Sequence, residues 1–466
     1  MIAPVLAAGL ILAACAGDEE VPDETPDDTT EEPADEPDDD ADDDAADDMD
    51  DAADGDLAGT AVTVFGPESS ENEAGSMQDM LNAFAEANDM TISYTGARDF
   101  SDQIGAQAEG GNPPDIAIFP QPGRVVDFGE QGFTLPIPQD VLDTITPQWP
   151  EGTNAAYEAG GETWGLQNKT DLKSILWYNN QIFADGGYEV PDTWDGLKDL
   201  TDEMIADGVT PWCVGIESGP ATGWVFTDWM EDLILRLEDE DVYDQWVAGE
   251  VEFSDDRIVA IGQEILDLWN TPGAVFAAGG SIASTPFGDN GGPLVNGDCA
   301  MHKQANFFAA FLPEGTNVGP DGEIDVDYFP AAGDGREPVL TAGTAAAAFR
   351  DAPEVWAVIE YLASAEGTTE RQRAQAARVA LDEGDEDPPP SGYLSANLEQ
   401  DLSVYSELEQ SFVEILQQAA PARFDASDMM PGAVGAGSFW TEGTSAVNGD
   451  KSIEEAFEAI DATWPD

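Results

Sequence analysis

Residues 162–180 read ETWGLQNKTDLKSILWYNN. A glycine-punctuated start gives way to a strand-like alternation. It places Asp171, Lys173, Ile175 and Trp177 on one face and Leu172, Ser174, Leu176 and Tyr178 on the other. Polar residues lead and aromatic ones follow, so the backbone leaves solvent and enters a core. A chain of 466 residues exceeds what one hydrophobic core usually serves. Two lobes are therefore expected, with this stretch crossing between them.

Upstream, Ala61–Phe65 reads as a strand and Met77–Asn88 as a helix, with apolar residues at Met77, Met80, Leu81 and Phe84. Met90–Tyr94 follows as a strand, Ser101–Glu109 as a helix and Asp115–Phe119 as a third strand. This order with short loops is an α/β unit with a mainly parallel sheet. Ligands of such sheets lie beyond the C-terminal ends of the strands. Residues 66–71, 96–99 and 120–123 are thus expected on one rim. Downstream, VPDTWDGLKDLTDEMIADG is a helix with an Asp/Thr start, and TGWVFTDWMEDLILRL is a loop that becomes a helix. Residues 279–293, rich in Gly and Ser, read as a mobile loop, and 353–466 as mostly helical.

The chain carries 97 Asp and Glu against 15 Lys and Arg, a net charge of −82. Nucleic acid is excluded as a partner, because phosphates would be repelled. Anionic substrates would need a local basic pocket. Residues 2–14 form an apolar run too short to span a bilayer and suited to a signal peptide. It ends in LAAC and resembles a lipobox over residues 1–15, with Cys15 as the lipidation site. Residues 16–56 read as a disordered tether: 18–56 hold 23 acidic and no basic residues, and their repulsion keeps the segment extended. Without those 23 charges, −59 remains on residues 57–466. Such a surface stays soluble where salt screens its self-repulsion, which points to a high-salt habitat. The melting temperature is expected to rise with NaCl in a thermal unfolding series, and a flat or falling series would refute this. Apart from Cys15, the cysteines are Cys213 and Cys299, an even pair that reads as a disulfide in an exported chain. There is no CxxC, and His302 is the single histidine, so no metal site and no His-dependent triad are expected.

The segments VTVFG, NPPDIAIFPQPG, TWGLQNKTDLKSILWYN, VPDTWDGLKDL, VNGDCAMHKQANFF, VLTAGTAAAAF and GSFWTEGTSAVNG, in this order, are similar to bacterial extracellular solute-binding proteins. The resemblance is to the carbohydrate-binding class that includes maltose-binding protein and the α-glucoside binders. It implies two α/β lobes with mainly parallel sheets flanked by helices, about 57–167 plus 345–423 and 172–338 plus 432–466. Hinge crossings would lie near 168–171, 339–344 and 424–431. It further implies a monomer that holds a sugar between its lobes and delivers it to an ABC permease, without a cofactor or a catalytic step. The family's cleft aromatics fall on Trp224, Phe307 and Trp440, and its polar ligands on the Glu71 loop, Pro120–Gln121 and Asp171.

Sugars present apolar C–H faces and many hydroxyls, so their sites need flat aromatic platforms and charged hydrogen-bonding groups. Trp224 opens a helix with Asp228 one turn on, which suits a cleft edge; Trp229 suits core or cleft equally. Trp177 and His302 read as structural. Asp171 and Lys173 form either a surface ion pair of little worth or a ligand-facing pair, and the scarcity of Lys favours a specific partner. Arg98, with Asp99, stands on the rim and would serve equally at a helix cap. The expected function is a lipid-anchored receptor at the extracellular face of the membrane, or a periplasmic one, for a neutral α-linked di- or oligosaccharide. Its ligand-binding set would be Glu71, Arg98, Gln121, Asp171, Lys173, Trp224, Asp228, Phe307 and Trp440. One alternative is a polyamine or other cationic solute held by the aromatics with Asp171, Glu71 and Asp228. Another is a secreted glycosidase, which needs two carboxyls about 5–10 Å apart. A sugar phosphate would require Arg98, Arg124, Lys173 and Lys303 to gather.

Overall fold

Strand-forming runs of Val, Ile and Phe build two large sheets, beside one small two-stranded pair, in the computed structural model, which describes residues 57–333, 335–380, 389–418 and 422–465. The lipobox with Cys15 and the acidic tether lie outside the described residues. In chain order the strands are β1 (Ala61–Gly66), β2 (Thr91–Gly96), β3 (Ile116–Phe119), the short pair β4 (Glu158–Ala159) and β5 (Glu162–Thr163), β6 (Leu166–Leu172), β7 (Ile175–Asn179), β8 (Trp212–Cys213), β9 (Val275–Phe276), β10 (Met301–Lys303), β11 (Ile324–Tyr328), β12 (Val339–Ala348) and β13 (Ala422–Phe424). The first sheet runs β13-β12-β3-β1-β2, with β6 paired to β12. The second runs β11-β7-β10-β8-β9. Pairing is parallel between β1 and its neighbours β2 and β3, and between β8 and its neighbours; it is antiparallel where β12 meets β3 and β6 and where β7 meets β10 and β11. The fold is a mixed α/β one built on two sheets.

Helix α1 (Glu71–Ala87) begins ahead of Met77, because Ser70 caps it. The Ser70 hydroxyl accepts from the Glu73 amide and donates to the Glu73 carboxylate, which satisfies a first-turn N–H that would otherwise be orphaned. Glu71, expected in a rim loop, is consequently an exposed residue of the first helical turn. Helices α2 (Phe100–Glu109) and α3 (Pro122–Glu130) follow β2 and β3.

The alternation read through 162–180 breaks at Lys173–Ser174: β6 ends in the first sheet and β7 begins in the second. Here the chain is tied to β12. The Lys173 amide donates to the Leu340 carbonyl at 2.9 Å, and the Leu340 amide donates to the Ser174 hydroxyl at 2.8 Å. The chain passes between the sheets again just before Val339, and it leaves the first sheet after Phe424, where the Asp425 amide donates to the Thr341 carbonyl at 2.8 Å.

Residues 279–293 do not form an irregular loop. They make two short 3-10 turns, Ile282–Ser284 and Phe287–Asn290, and enter a helix at Gly291. The buried Thr285 hydroxyl accepts from the Gly279 amide at 2.8 Å and donates to the Ser281 carbonyl at 2.7 Å, which supplies the order that the composition hides. Cys213 and Cys299 are joined in a disulfide beside His302. The ring Nδ1 of His302 is hydrogen-bonded to the Cys213 carbonyl, and burial lowers its pKa to about 4, so it is neutral and structural. Trp177 is buried, and its indole donates to the Gln304 carbonyl. Among the described residues no helix is long and apolar enough to cross a membrane.

Candidate ligand-binding site

A cavity of about 240 Å³ is lined by residues of both sheets' connections. The segment after β1 contributes Glu68, Ser70 and Glu73, the β2–α2 loop Arg98, and the segment after β3 Pro120 and Gln121. Strand β6 and the passage beyond it place Lys169, Asp171 and Lys173 there, because residues two apart on a strand share a face. The facing side is aromatic. Trp224 opens the helix Trp224–Leu237 and meets Phe287 with ring centroids 5.0 Å apart and Phe307 at 6.0 Å; Phe287 meets Phe311 at 5.1 Å.

Two glycines make this geometry possible. Gly223 has φ +118°, and a Cβ there would lie 2.3 Å from the Trp440 carbonyl oxygen, so only glycine lets the Trp224 helix start against Trp440. A Cβ on Gly435 would lie 1.8 Å from the Ser427 carbonyl oxygen. Gly435 belongs to the π-helical turn Val434–Phe439 that delivers Trp440 to the cavity.

Two buried ionic networks form the polar wall. In the first, Lys169 lies 3.1 Å from Glu68 and 3.4 Å from Asp171, and Arg371 holds Glu68 from behind at 3.0 Å. Burial alone would raise the Glu68 pKa, but Arg371 and Lys169 outweigh it and hold the carboxyl below its ordinary value. For Asp171, burial outweighs the shared cation and the pKa rises. In the second network, Lys173 binds Asp228 at 2.7 Å and also Asp425. Burial and then the Asp425 charge push Asp228 up to about 7 against the pull of Lys173. The carboxyl oxygens of Asp228, Glu231 and Asp425 converge within 4.8 Å, and the positive charge beside them is the Lys173 ammonium. The two ammonium groups stand 5.6 Å from the Phe307 and Trp224 rings respectively.

Of the sequence-derived set, the structure places Arg98, Gln121, Asp171, Lys173, Trp224, Phe307 and Trp440 around the cavity, Arg98 at its exposed rim. Asp228 is buried behind the wall and reaches the cavity only through Lys173. Glu71 is not part of the lining; Glu68 and Glu73 take that place. Asp171 and Lys173 do not pair with each other, since each has a nearer partner. The four cations of the sugar-phosphate alternative do not gather: Arg124 donates to the Ser101 carbonyl and Lys303 pairs with Asp232. Trp229 is core, 2% exposed. Lys169 was within reach of the sequence reading, having the same strand parity as Asp171 and Lys173. Phe287 and Phe311 carried no such signal, because short 3-10 turns present them.

Two buried polar atoms on the lining, Gln121 Oε1 and Trp440 Nε1, lack a hydrogen-bond partner in the protein, while Asp171 Oδ1 is engaged by the Lys169 ammonium. One acceptor and one donor therefore await a ligand that carries both kinds of group.

The profile of the family described as bacterial extracellular solute-binding protein matches residues 68–369. The osmoprotective compounds-binding protein GgtB of Synechocystis sp. is 36% identical over 427 residues, 88% of this chain and 94% of that protein. The alpha-glucosides-binding periplasmic protein AglE of Rhizobium meliloti is 35% identical over 430 residues, 88% of each. A solved structure from work on xylan utilisation by Caldanaerobius polysaccharolyticus shares the fold at 18% identity, with a TM-score of 0.71 over 87% of this chain and 100% of that one. The chain belongs to the bacterial extracellular solute-binding protein family; it is a solute-binding protein and not an enzyme.

Proposed function

We propose that the chain captures a small neutral glycoside, an α-linked disaccharide or a glycoside of similar size, in this cavity and presents it to an ABC permease. The observation that carries the reading is the aromatic side of the cavity facing a polar wall whose free atoms, Gln121 Oε1 and Trp440 Nε1, ask for both donors and acceptors, as hydroxyls supply. The volume of about 240 Å³ lies below the roughly 300–1,000 Å³ of sites for drug-sized ligands, which favours one or two sugar rings over a longer chain. The names of the two relatives point the same way, and a neutral osmoprotective glycoside would suit an acidic protein of salty surroundings. The protein acts as a monomer, tethered outside the membrane through Cys15 and the acidic spacer. Its lobes close about hinge segments near 168–171, 339–344 and 424–431, and the closed form is what the permease recognises.

Calorimetric titration with trehalose, maltose, sucrose, glycerol phosphate and spermidine tests this reading. Tight binding of a neutral sugar is expected. Spermidine binding without sugar binding would establish the cationic-solute alternative instead. Asp171→Ala is expected to weaken sugar affinity about tenfold, the order of one lost charge-assisted hydrogen bond, with the protein still folded by circular dichroism. Unchanged affinity would remove Asp171 from the site.

A further inference from the structure

Asp428 lines the cavity and is only 8% exposed, yet among the described residues no Lys or Arg forms an ion pair with it. The charged groups that act on it are one ammonium, Lys173, and three other acids. On its own segment stands Asp425, whose Oδ1 accepts from the Asp428 amide at 2.9 Å. The helix Trp224–Leu237 contributes Asp228 and Glu231; the Glu231 carboxyl already accepts from the amides of Ala426 and Ser427 at 3.1 Å each. Lys173 comes from the end of β6 and binds Asp228 and Asp425. From the side of α3, the Gln121 side chain hydrogen-bonds the Asp428 carboxyl, a pull toward the ionised form that is weaker than burial and the Asp425 charge, and the nearby Arg124 is engaged at the Ser101 carbonyl. The Tyr157 hydroxyl faces Asp428 with no hydrogen-bond partner in the protein, while the Tyr243 hydroxyl donates to the Phe424 carbonyl and Arg423 binds Asp244. Lys303 stands beside Asp228 but forms its ion pair with Asp232, and the two contacts of Lys173 go to Asp228 and Asp425, so no ammonium pairs with Asp428.

We propose that Asp428 meets the ligand as a neutral carboxylic acid, its hydroxyl donating a hydrogen bond to a ligand oxygen. Burial, followed by the charge of Asp425, supports this by pushing the Asp428 pKa well above the usual carboxylate range, against the pull of Lys173. A carboxylate could only accept at this place; the acid adds a donor and so selects a ligand hydroxyl or ether oxygen over an ammonium. The inference rests on the cavity being a site for a neutral glycoside. The neutral form persists below the raised pKa, so affinity is present at lower pH and falls as pH rises through that value.

Two measurements on the full chain test it. In carbon-detected NMR with the Asp carboxyls labelled, the Asp428 signal, assigned by its loss in Asp428→Asn, is expected at the position of a protonated acid at neutral pH. An ionised signal overturns the proposal whatever the cavity binds. In calorimetry with trehalose, maltose and sucrose across pH, wild type is expected to lose affinity toward alkaline pH. Asp428→Asn keeps a donor, and its affinity should not decline with pH; it should bind about tenfold more tightly than Asp428→Ala. Equal affinity of the Asn and Ala variants, or a pH decline that survives in Asp428→Asn, also overturns the proposal. If none of the three sugars binds, the functional reading above fails, and the NMR signal alone decides the state of Asp428.

Discussion

Lys173→Ala is expected to destabilise the protein by about 3–5 kcal/mol, the range for breaking a buried ion pair by removing one partner. The substitution removes the ammonium that binds Asp228 at 2.7 Å and also binds Asp425, leaving Asp425 without its ion-pair partner and Asp228 with only Lys303, which is itself paired to Asp232. It acts at the junction of the fold, since Lys173 follows β6 in the first sheet while Asp228 belongs to the helix Trp224–Leu237 and Asp425 follows β13. Urea denaturation measures the effect as a lower midpoint. The pH dependence of the loss has a definite sign. In the wild type, Lys173 helps hold Asp425 below its ordinary pKa, so this stabilisation exists above the unfolded value near 3.8 and is lost as pH falls through the lower folded value. In the variant the orphaned carboxyls can instead take up protons, so its deficit relative to wild type should shrink in mild acid. A variant as stable as wild type at neutral pH would show that the network is solvated and not a buried one.

Trp224→Ala is expected to reduce sugar affinity by about 2–3 kcal/mol, roughly 30- to 150-fold, as for a large aromatic anchor of a binding site. Trp224 is half-buried and held on edge by Phe287 and Phe307, so its ring is fixed before the ligand arrives and little side-chain entropy is lost on binding. Calorimetry with trehalose, maltose and sucrose provides the measurement. Trp229→Phe is the control: that ring packs in the core between Trp212, Trp269 and Phe329, and its loss should lower the melting temperature without a comparable effect on affinity. Affinity that survives Trp224→Ala would move the sugar platform elsewhere in the cavity.

Much of the fold was legible because it depends on local pattern. The first three strands and the helices between them follow from residue period and from glycine and proline breaks. Departures arose where a side chain overrode composition. Ser70 draws the start of α1 forward and takes Glu71 away from the rim. Thr285 orders a Gly- and Ser-rich run that otherwise reads as loose, and that run carries Phe287 to the cavity. The site was legible in part. Strand parity brings Asp171 and Lys173 to one surface and would also have pointed to Lys169. Nothing local marks Glu68 or Asp428, because their roles depend on neighbours that arrive from other parts of the chain.

The sequence by itself determined the α/β order, the acidic character, the cysteine pair and the segment 162–180 as the place where the chain changes sheets. These depend on residue type and on spacings of two to four positions, which any short stretch displays. Only the tertiary structure decided what the polar residues of that segment do. Lys173 faces Asp425 across 252 positions of sequence, and Asp171 answers to Lys169 instead of to Lys173. An ionic partner is chosen by proximity in a water-poor interior, where burial makes an unpaired charge expensive and a nearby counter-charge decisive. Proximity of that kind is a property of the packed chain and has no local period to read.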